Sequence, residues 1–293
     1  MDVNIIRALI AKSIPYKIRR HLPLVIAQHI YFRGVFKARL RGKKVVKLLH
    51  TGHQIENEIY WRGFDGCHEK KSMQVFTSVI QTLHPKFVWD IGANSGTYGI
   101  LAKALQPDCE VVFFEPIPKA VELVRTNLKI NRFSAKVFEV ALGDFDGVGE
   151  IFFPKGYDFA TSVTVNQNTV PKGIESDSMK IDVCRLDSLI REQELAPPDL
   201  VKLDVETYEF EVLKGWGDKF PVEAIFLIEI LRDDLALKLM EFFPAERYQF
   251  WNIDDRNTSI RRVDKLEKSD FYNFLVFPDR LSTVIQNSIG DNQ

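Results

Sequence analysis

From Phe87 onward the chain alternates short apolar runs with stretches of helical periodicity, and this alternation restricts its fold more than any other feature. Strands separated by helices are typical of βα units and a parallel sheet. The apolar runs predict five parallel strands, at residues 87–92, 110–116, 135–141, 200–206 and 223–231. The last two runs are too uniformly apolar for strands with one face in water. We therefore predict an α/β fold with a doubly wound sheet.

Two later runs, at residues 248–253 and 271–277, have no helical periodicity between them. They predict an antiparallel hairpin that closes the sheet after its five parallel strands. A shorter run at residues 149–154 follows a polar turn and predicts a hairpin that leaves the main sheet.

The first 50 residues differ from the rest in charge. They hold twelve Lys and Arg residues and one Asp, a net charge of +11, whereas the other residues carry −12. Apolar residues recur among these charges every three or four positions, which predicts at least one amphipathic helix. Such a segment can lie on an anionic membrane or grip a polyanion, or it can pack on the protein as a helical lid. We divide the chain into a basic amphipathic helical extension (1–50), a main domain (51–285) and a polar tail (286–293).

Nothing in the chain predicts a membrane span or export. No run of 18 apolar residues occurs, and the N-terminus lacks the features of a secretory signal. Cys67, Cys109 and Cys184 are odd in number and far apart, which suits reduced thiols better than disulfides or a zinc site. We expect a cytoplasmic protein.

The loop Asp90–Gly99 follows the first predicted strand and opens a helix, where doubly wound folds bind ligands. We expect Gly92 and Gly96 to let the backbone approach the ligand, and Asp90 to meet a cationic amino group. A dinucleotide site needs Gly-x-Gly-x-x-Gly, but Asn94 stands where the second glycine makes room for the pyrophosphate. A ligand without phosphate, such as S-adenosylmethionine, meets no such clash.

Glu115 ends the second predicted strand, 23 residues beyond Gly92. An acidic residue there can accept hydrogen bonds from both ribose hydroxyls of an adenosine ligand, whether S-adenosylmethionine or NAD. The loop therefore distinguishes the two ligands and Glu115 does not. Asp90 and Asn94 have the alternative role of ordinary capping or turn residues.

Several motifs in order resemble those of the FkbM-type methyltransferases, over roughly residues 50–280. The family's D-x-G-A-N-x-G is matched at 90–96, its E-P at 115–116, the segment after its third strand at 141–147, its K-x-D-V-E-G-x-E at 202–209 and its I-E at 228–229. The resemblance implies a Rossmann-like methyltransferase sheet and S-adenosylmethionine as cofactor. The cofactor-binding residues it implies are Asp90, Gly92, Ala93, Asn94, Gly96, Glu115, Pro116, Ala141, Leu142 and Asp204.

One position departs from the family. Thr207 replaces the glycine that usually follows D-V-E. A β-branched residue does not readily adopt positive φ. Either the turn is less tight in this chain or the acceptor pocket is reshaped.

Three carboxylates are the candidate catalytic residues: Asp204 and Glu206 at the end of the fourth strand and Glu229 at the end of the fifth. They can act as a base, as ligands of a divalent ion, or as partners of sugar hydroxyls, and the first two can alternatively cap the next helix. No preformed set of metal ligands is indicated by spacing. A histidine base would have to be His53 or His68, because every histidine precedes the first strand of the sheet.

The resemblance implies an O-methyltransferase that acts on a hydroxyl of a small molecule, such as a sugar, glycan or polyketide component. The rivals are a methyltransferase of protein or nucleic acid and a non-catalytic module that binds S-adenosylmethionine. The sequence has no basic surface interleaved with aromatic residues of the kind that binds single-stranded nucleic acid. The fourth strand is also not followed by Asn-Pro-Pro and an aromatic residue, the motif expected of methyltransferases that act on the amino groups of bases. If the acceptor is linked to lipid, the basic segment can hold the enzyme at the anionic cytoplasmic leaflet.

Overall fold

The structure is a computed structural model that describes residues 14–21, 33–40, 44–52, 54–155 and 175–290. Residues 1–13, 22–32 and 41–43 of the helical extension predicted for residues 1–50 lie outside the described residues, and so does His53.

Strands and helices alternate along most of the described chain. The strands are β1 (Gly34–Arg39), β2 (Val45–His50), β3 (Phe87–Ile91), β4 (Glu110–Phe114), β5 (Lys136–Phe138), β6 (Ala141–Gly143), β7 (Gly147–Pro154), β8 (Ser176–Arg185), β9 (Leu200–Leu203), β10 (Ile225–Glu229), β11 (Tyr248–Asp254), β12 (Ser259–Val263) and β13 (Asn273–Pro278). The helices are α1 (Tyr16–Arg19), α2 (Gln54–Arg62), α3 (Lys70–Leu83), α4 (Thr97–Leu105), α5 (Pro118–Asn131), α6 (Leu186–Gln193), α7 (Glu209–Gly215), α8 (Asp233–Leu239) and α9 (Ser282–Ile289).

Eight strands form the central sheet, in the order β5-β4-β3-β9-β10-β13-β11-β12. The first five of this order pair in parallel, and the last three pair antiparallel. The predicted doubly wound α/β sheet with a C-terminal antiparallel hairpin is therefore confirmed. Strand β12 was not predicted, because its residues are half-buried or exposed and it carries two arginines in five positions.

The central strands are apolar because helices cover both faces of the sheet. One core contains residues of α3, α4 and α9, and the other contains residues of α6, α7 and α8. Strand β9 is buried throughout although its sequence is LVKL, so Lys202 is a charged residue inside the protein.

The third predicted strand, at 135–141, is two strands. Strand β5 is the edge strand on the parallel side of the main sheet. Strand β6 pairs with β8 in a small separate sheet of order β6-β8-β7. Strands β7 and β8 pair antiparallel, which confirms the predicted hairpin outside the main sheet.

The basic N-terminal segment is not helical up to residue 50. Strands β1 and β2 form an antiparallel hairpin, so the helical prediction is wrong for these residues. Their apolar residues alternate with period two: Phe36, Ala38, Val46 and Leu48 are buried in the core that contains α3, whereas Val35, Lys37, Val45 and Lys47 are exposed. The hairpin is therefore part of the core that covers one face of the sheet.

Two asparagines of α5 attach this hairpin to the domain. Asn131 accepts a hydrogen bond from the Lys47 amide at 2.8 Å and donates to its carbonyl at 2.6 Å. Asn127, which is buried, accepts from the Leu49 amide at 2.8 Å and donates to the Ser95 carbonyl at 3.1 Å. The hairpin is thus hydrogen-bonded through Asn127 to the loop after β3.

The C-terminal residues also differ from the prediction. A polar tail was predicted from residue 286, but α9 runs to Ile289, and both Ile285 and Ile289 are buried in the core beside α3. Polar residues at 286–288 lie between these two positions, and a spacing of four residues places both isoleucines on one helix face.

Candidate active site

Two adjoining cavities lie at the carboxyl ends of β3, β4, β9 and β10, where a doubly wound sheet binds ligands. The first, the apolar cavity, is lined mainly by residues that follow β4, β5 and β9. The second, the acidic cavity, is lined by the loop after β3, the start of α2 and several carboxylates. Gly92, Asn94, Asp204 and Glu206 line both cavities. The two cavities therefore meet at the ends of β3 and β9.

The glycines of the loop after β3 make room for protein atoms. A Cβ on Gly92 would lie 1.8 Å from the carbonyl oxygen of Asp204, and a Cβ on Gly96 would lie 3.0 Å from Cγ2 of Val124. Both glycines have φ near +73°. Gly92 also lines both cavities, and the close approach of the backbone to a ligand at these glycines stays a prediction. The buried Ala93 between them fixes the loop, because its amide donates to the Phe114 carbonyl at 3.1 Å.

Asp90 caps the helix that follows this loop. Its Oδ2 accepts a hydrogen bond from the Gly99 amide at 2.8 Å, and burial raises the pKa of Asp90 to about 7. Capping was the alternative that the sequence offered to contact between Asp90 and a cationic amino group. Asp90 also lines the acidic cavity, where its carboxyl group is within the reach of a bound cation.

Glu115 is a buried carboxylate at the edge of the apolar cavity. Its Oε2 accepts from the Asn94 amide at 2.7 Å, and its Oε1 accepts from the Ile117 amide at 2.9 Å. Burial nevertheless raises the pKa of Glu115 to about 7. Two amides fix the carboxylate so that its remaining lone pairs can accept from a diol in the cavity.

The rest of the apolar cavity has a mainly apolar lining. It is lined by Phe114, Pro116, Ile117, Ala120, Val140, Ala141, Leu142, Ile151 and Ile181. The structure therefore brings the predicted residues Pro116, Ala141 and Leu142 together around one space. An adenine ring bound there would lie beside Glu115.

The three predicted catalytic carboxylates converge at the acidic cavity. Asp204, Glu206 and Glu229 each offer an oxygen, and these oxygens lie within 4.8 Å of one another. Oxygens at that spacing can surround a cation or bind the hydroxyls of one acceptor. Among the described residues, the ammonium of Lys202 already supplies one positive charge, 2.9 Å from Oδ2 of Asp204.

The environment of these carboxylates shifts their proton affinities. Burial, and then the charge of Asp204, raises the pKa of Glu206 to about 7. The same two causes raise the pKa of Glu229 well above its ordinary value. Glu206 can therefore exchange a proton near neutral pH.

Sequence reasoning missed two charged residues of this cavity, Lys202 and Glu69. Lys202 is 2% exposed, its Nζ lies 5.3 Å from the ring centroid of Tyr98, and nearby carboxylates hold its pKa above the ordinary value although burial alone would lower it. A lysine in an apolar strand, two positions before Asp204, was the available signal, because alternate residues share a face. Glu69 lines the cavity from the start of α3 and accepts a 3.4 Å hydrogen bond from the Tyr98 hydroxyl.

His68 lies in the acidic cavity but is paired with a carboxylate. Its Nδ1 is 3.0 Å from Oε2 of Glu58, and this hydrogen bond raises the pKa of His68. A histidine that holds its proton more tightly is a poorer base at neutral pH. The geometry therefore favours the carboxylates over His68 as the proton acceptor.

The turn after β9 retains a left-handed backbone despite Thr207. Glu206 has φ of 53° and Thr207 has φ of 79°. Glu209 holds the turn, since its Oε1 accepts from the amides of Val205 and Thr207 at 3.1 and 3.3 Å. Burial raises the pKa of Glu209 to about 8. The turn is therefore not relaxed, and Thr207 carries backbone strain beside Glu206.

The comparisons with known proteins identify the family. The methyltransferase FkbM domain matches residues 90–252, which contain both loops of the site. The chain belongs to the FkbM methyltransferase family. Its predicted class, a methyltransferase domain that uses S-adenosylmethionine, is confirmed by this match.

Curated relatives are similar over part of their length. They include the hexuronic acid methyltransferase AglP of Haloferax volcanii, 28% identical over 143 residues, which are 49% of this chain and 55% of that protein. Methyltransferase sdnD of Sordaria araneosa is 30% identical over 154 residues, or 44% of this chain and 60% of that protein. The 31-O-demethyl-FK506 methyltransferase FkbM of Streptomyces tacrolimicus is 27% identical over 154 residues, or 45% and 59%. The chain thus spans less than two thirds of these relatives.

A solved O-methyltransferase of Bacillus cereus is similar to the chain with a TM-score of 0.41 and 12% identity, over 70% of this chain and 79% of that one. None of the helices that the structure describes is both long and apolar enough to span a bilayer.

We expect Thr207→Gly to stabilise the protein by about 1 kcal/mol. A non-glycine residue in the left-handed region costs of order 1–3 kcal/mol, and the greater freedom of glycine in the unfolded chain offsets only part of the gain. The free energy of unfolding from urea denaturation measures the effect. Thr207→Ala is the matched control, since it removes the hydroxyl but keeps a Cβ, and an equal gain from both variants would contradict backbone strain as the cause.

Proposed function

We propose that this chain transfers a methyl group from S-adenosylmethionine to a hydroxyl of a sugar or a polyketide-like small molecule. The observation that carries the proposal is the junction of the two cavities, where Asp204 and Glu206 face both the donor side and the acceptor side. A methyl donor in the apolar cavity and a hydroxyl in the acidic cavity would meet at that junction.

The named activities of relatives support a hydroxyl-bearing acceptor. AglP is named a hexuronic acid methyltransferase, and the Streptomyces relative acts on a demethylated hydroxyl of FK506 according to its name. A relative of Sinorhizobium fredii, 27% identical over 157 residues, is named 2-O-methyltransferase NoeI. A hexuronic acid and 31-O-demethyl-FK506 are thus the acceptors given in these names, and two of the names specify an oxygen.

The described residues fit the donor. S-adenosylmethionine, when bound, supplies a methyl group on a positively charged sulfur. Glu115 would accept from the ribose hydroxyls, and Ala141 and Leu142 would contact the adenine. Asp90 and the amides of the loop after β3 would hold the aminoacyl end. Asn94 narrows the place that a pyrophosphate would need, which disfavours NAD.

Glu206 is the proposed proton acceptor. Its carboxylate lies at the junction and has a pKa of about 7, so it is poised to take the proton of an acceptor hydroxyl. Asp204 is held by Lys202 and supplies fixed negative charge. Glu229, whose pKa is raised well above its ordinary value, would hold a proton and orient an acceptor oxygen.

We expect Glu115→Gln to weaken the binding of both S-adenosylmethionine and S-adenosylhomocysteine by about tenfold or more, because an amide replaces an ionic acceptor of two hydroxyls. Calorimetric titration measures the affinities, with NAD as the ligand that should not bind. The exposed Glu122→Gln is the control. Tight binding of NAD to the wild-type protein would contradict the assignment of the donor.

We expect methyl transfer to increase with pH through a midpoint near 7, because Glu206 must lose its proton before it can act as a base. Glu206→Gln should lower kcat by roughly 100-fold or more and abolish that increase. The measurement is a pH–rate profile with an accepted substrate, and Glu211→Gln on α7 is the control. A wild-type rate that is flat between about pH 6 and 8 would rule out Glu206 as the base.

The outward face of the hairpin β1–β2 supports contact with an anionic membrane. Lys37 and Lys47 are directly opposite each other there, and Val35 and Val45 on the same face are 45% and 48% exposed. Like charges at a cross-strand pair are unfavourable unless an anion compensates them. An acidic lipid surface supplies such anions, and the two valines can enter its interface.

We expect the full chain to float with liposomes that contain phosphatidylserine, and Lys37→Glu with Lys47→Glu to reduce recovery about tenfold, since each surface lysine contributes about 1 kcal/mol to such binding. The full chain is required because the hairpin contributes buried core residues. The control reverses Lys219 and Lys265, which are exposed elsewhere. Equal flotation of all three proteins would end the membrane proposal.

A further inference from the structure

The acidic cavity has a strong excess of negative groups among its described lining residues. Five carboxyl side chains line it, against two groups that can be cationic, Lys202 and His68. The carboxyl groups are those of Glu69, Asp90, Asp204, Glu206 and Glu229. What matters for an acceptor is whether either cation is available to bind an anionic group.

Lys202 is not available. Its side chain is 2% exposed, its Nζ donates to Oδ2 of Asp204 at 2.9 Å, and the Tyr98 ring lies over it. Moving Nζ toward a ligand would leave Asp204 without its partner in a partly buried site, which is costly. Lys202 therefore stabilises the cavity's own carboxylates.

His68 is likewise already paired with a carboxylate, that of Glu58. Both its amide and its Nδ1 lie against Oε2 of Glu58, at 2.7 and 3.0 Å, so any positive charge on the ring is balanced by an adjacent carboxylate. Gln54 donates to the other oxygen of Glu58 at 2.7 Å. The mouth of the cavity on this side is therefore close to neutral.

The carboxyl groups of the cavity are costly to ionise because they are buried and lie close to one another. Burial and neighbouring carboxylates raise the pKa values of Glu69, Glu206 and Glu229. Carboxyl groups with raised pKa values take up protons more readily, which reduces the repulsion between them. A ligand that brought another negative charge would add to this repulsion, whereas hydroxyl and ammonium groups would donate hydrogen bonds to the carboxylates.

We propose that the acceptor is a polyhydroxylated ring that is neutral or carries a protonated amine near the methylated hydroxyl, and that rings with a carboxylate or phosphate at that position are rejected. This inference rests on the proposed O-methyltransferase function and narrows its acceptor class. It separates the chain from its relative AglP, whose name specifies a hexuronic acid.

Three matched acceptors test the proposal: the methyl glycosides of glucose, glucosamine and glucuronic acid, each offered with radiolabelled S-adenosylmethionine. We expect transfer to the first two and at least a tenfold lower kcat/KM for the glucuronide, because like charges facing each other cost several kcal/mol at an interface. Preferred methylation of the glucuronide would overturn the inference and leave the proposed function intact. Donor binding without transfer to any of the three would overturn the sugar acceptor itself, and the inference with it.

A charge introduced at the cavity mouth gives an independent readout. Gln54 is exposed and lines the cavity, so Gln54→Lys, made in a Glu58→Gln background that removes the carboxylate beside it, should add an unpaired cation without disturbing the core. We expect it to raise the glucuronide-to-glucoside ratio of kcat/KM by about threefold or more, a change of roughly 0.7 kcal/mol. Gln54→Met in the same background, which has a similar length and no charge, should leave the ratio unchanged. An equal shift in both variants would contradict an electrostatic cause, and no shift in either would contradict the charge rule.

Discussion

The close approach of β3 to β9 is the constraint on which the rest of the site depends. Because Gly92 has no Cβ, the carbonyl of Asp204 can lie against it, and the Asp204 amide continues the pairing of the two strands by donating to the Ile91 carbonyl at 3.1 Å. This contact joins the loop that would hold the donor to the strand that carries the acidic residues. Any side chain at position 92 would separate the two halves of the reaction centre.

Interactions between charged groups then determine the proton affinities of the residues at that centre. Several carboxyl groups are placed close together in a partly buried cavity, and the described lining offers Lys202 as its buried cation. Ionisation of one group alters its neighbours, so the proton affinities belong to the set more than to single residues. Such a set can accept a proton near neutral pH, which suits chemistry that removes one from an alcohol.

Much of this architecture could be predicted from sequence because it follows from local patterns. The uniformly apolar runs located β3, β4, β9 and β10, and strand-end positions located Glu115, Asp204 and Glu229. Contacts between segments that are distant in the sequence could not be predicted from local patterns. The need for Gly92 comes from a carbonyl more than a hundred residues away, and Lys202 was hidden in an apolar strand. In residues 34–50, basic side chains on the outward face obscured the period-two pattern of a hairpin.

The side-chain amide of Asn127 bears on the length of the smallest fragment that can fold. It accepts from Leu49 in the hairpin and donates to Ser95 in the loop after β3, from a position that is 1% exposed. The family match begins only at residue 90. A fragment cut there would lose the Leu49 amide and the hairpin's part of the core, so Asn127 and the apolar residues that the hairpin covers would face water. The minimal folding unit is therefore larger than the segment by which the family is recognised.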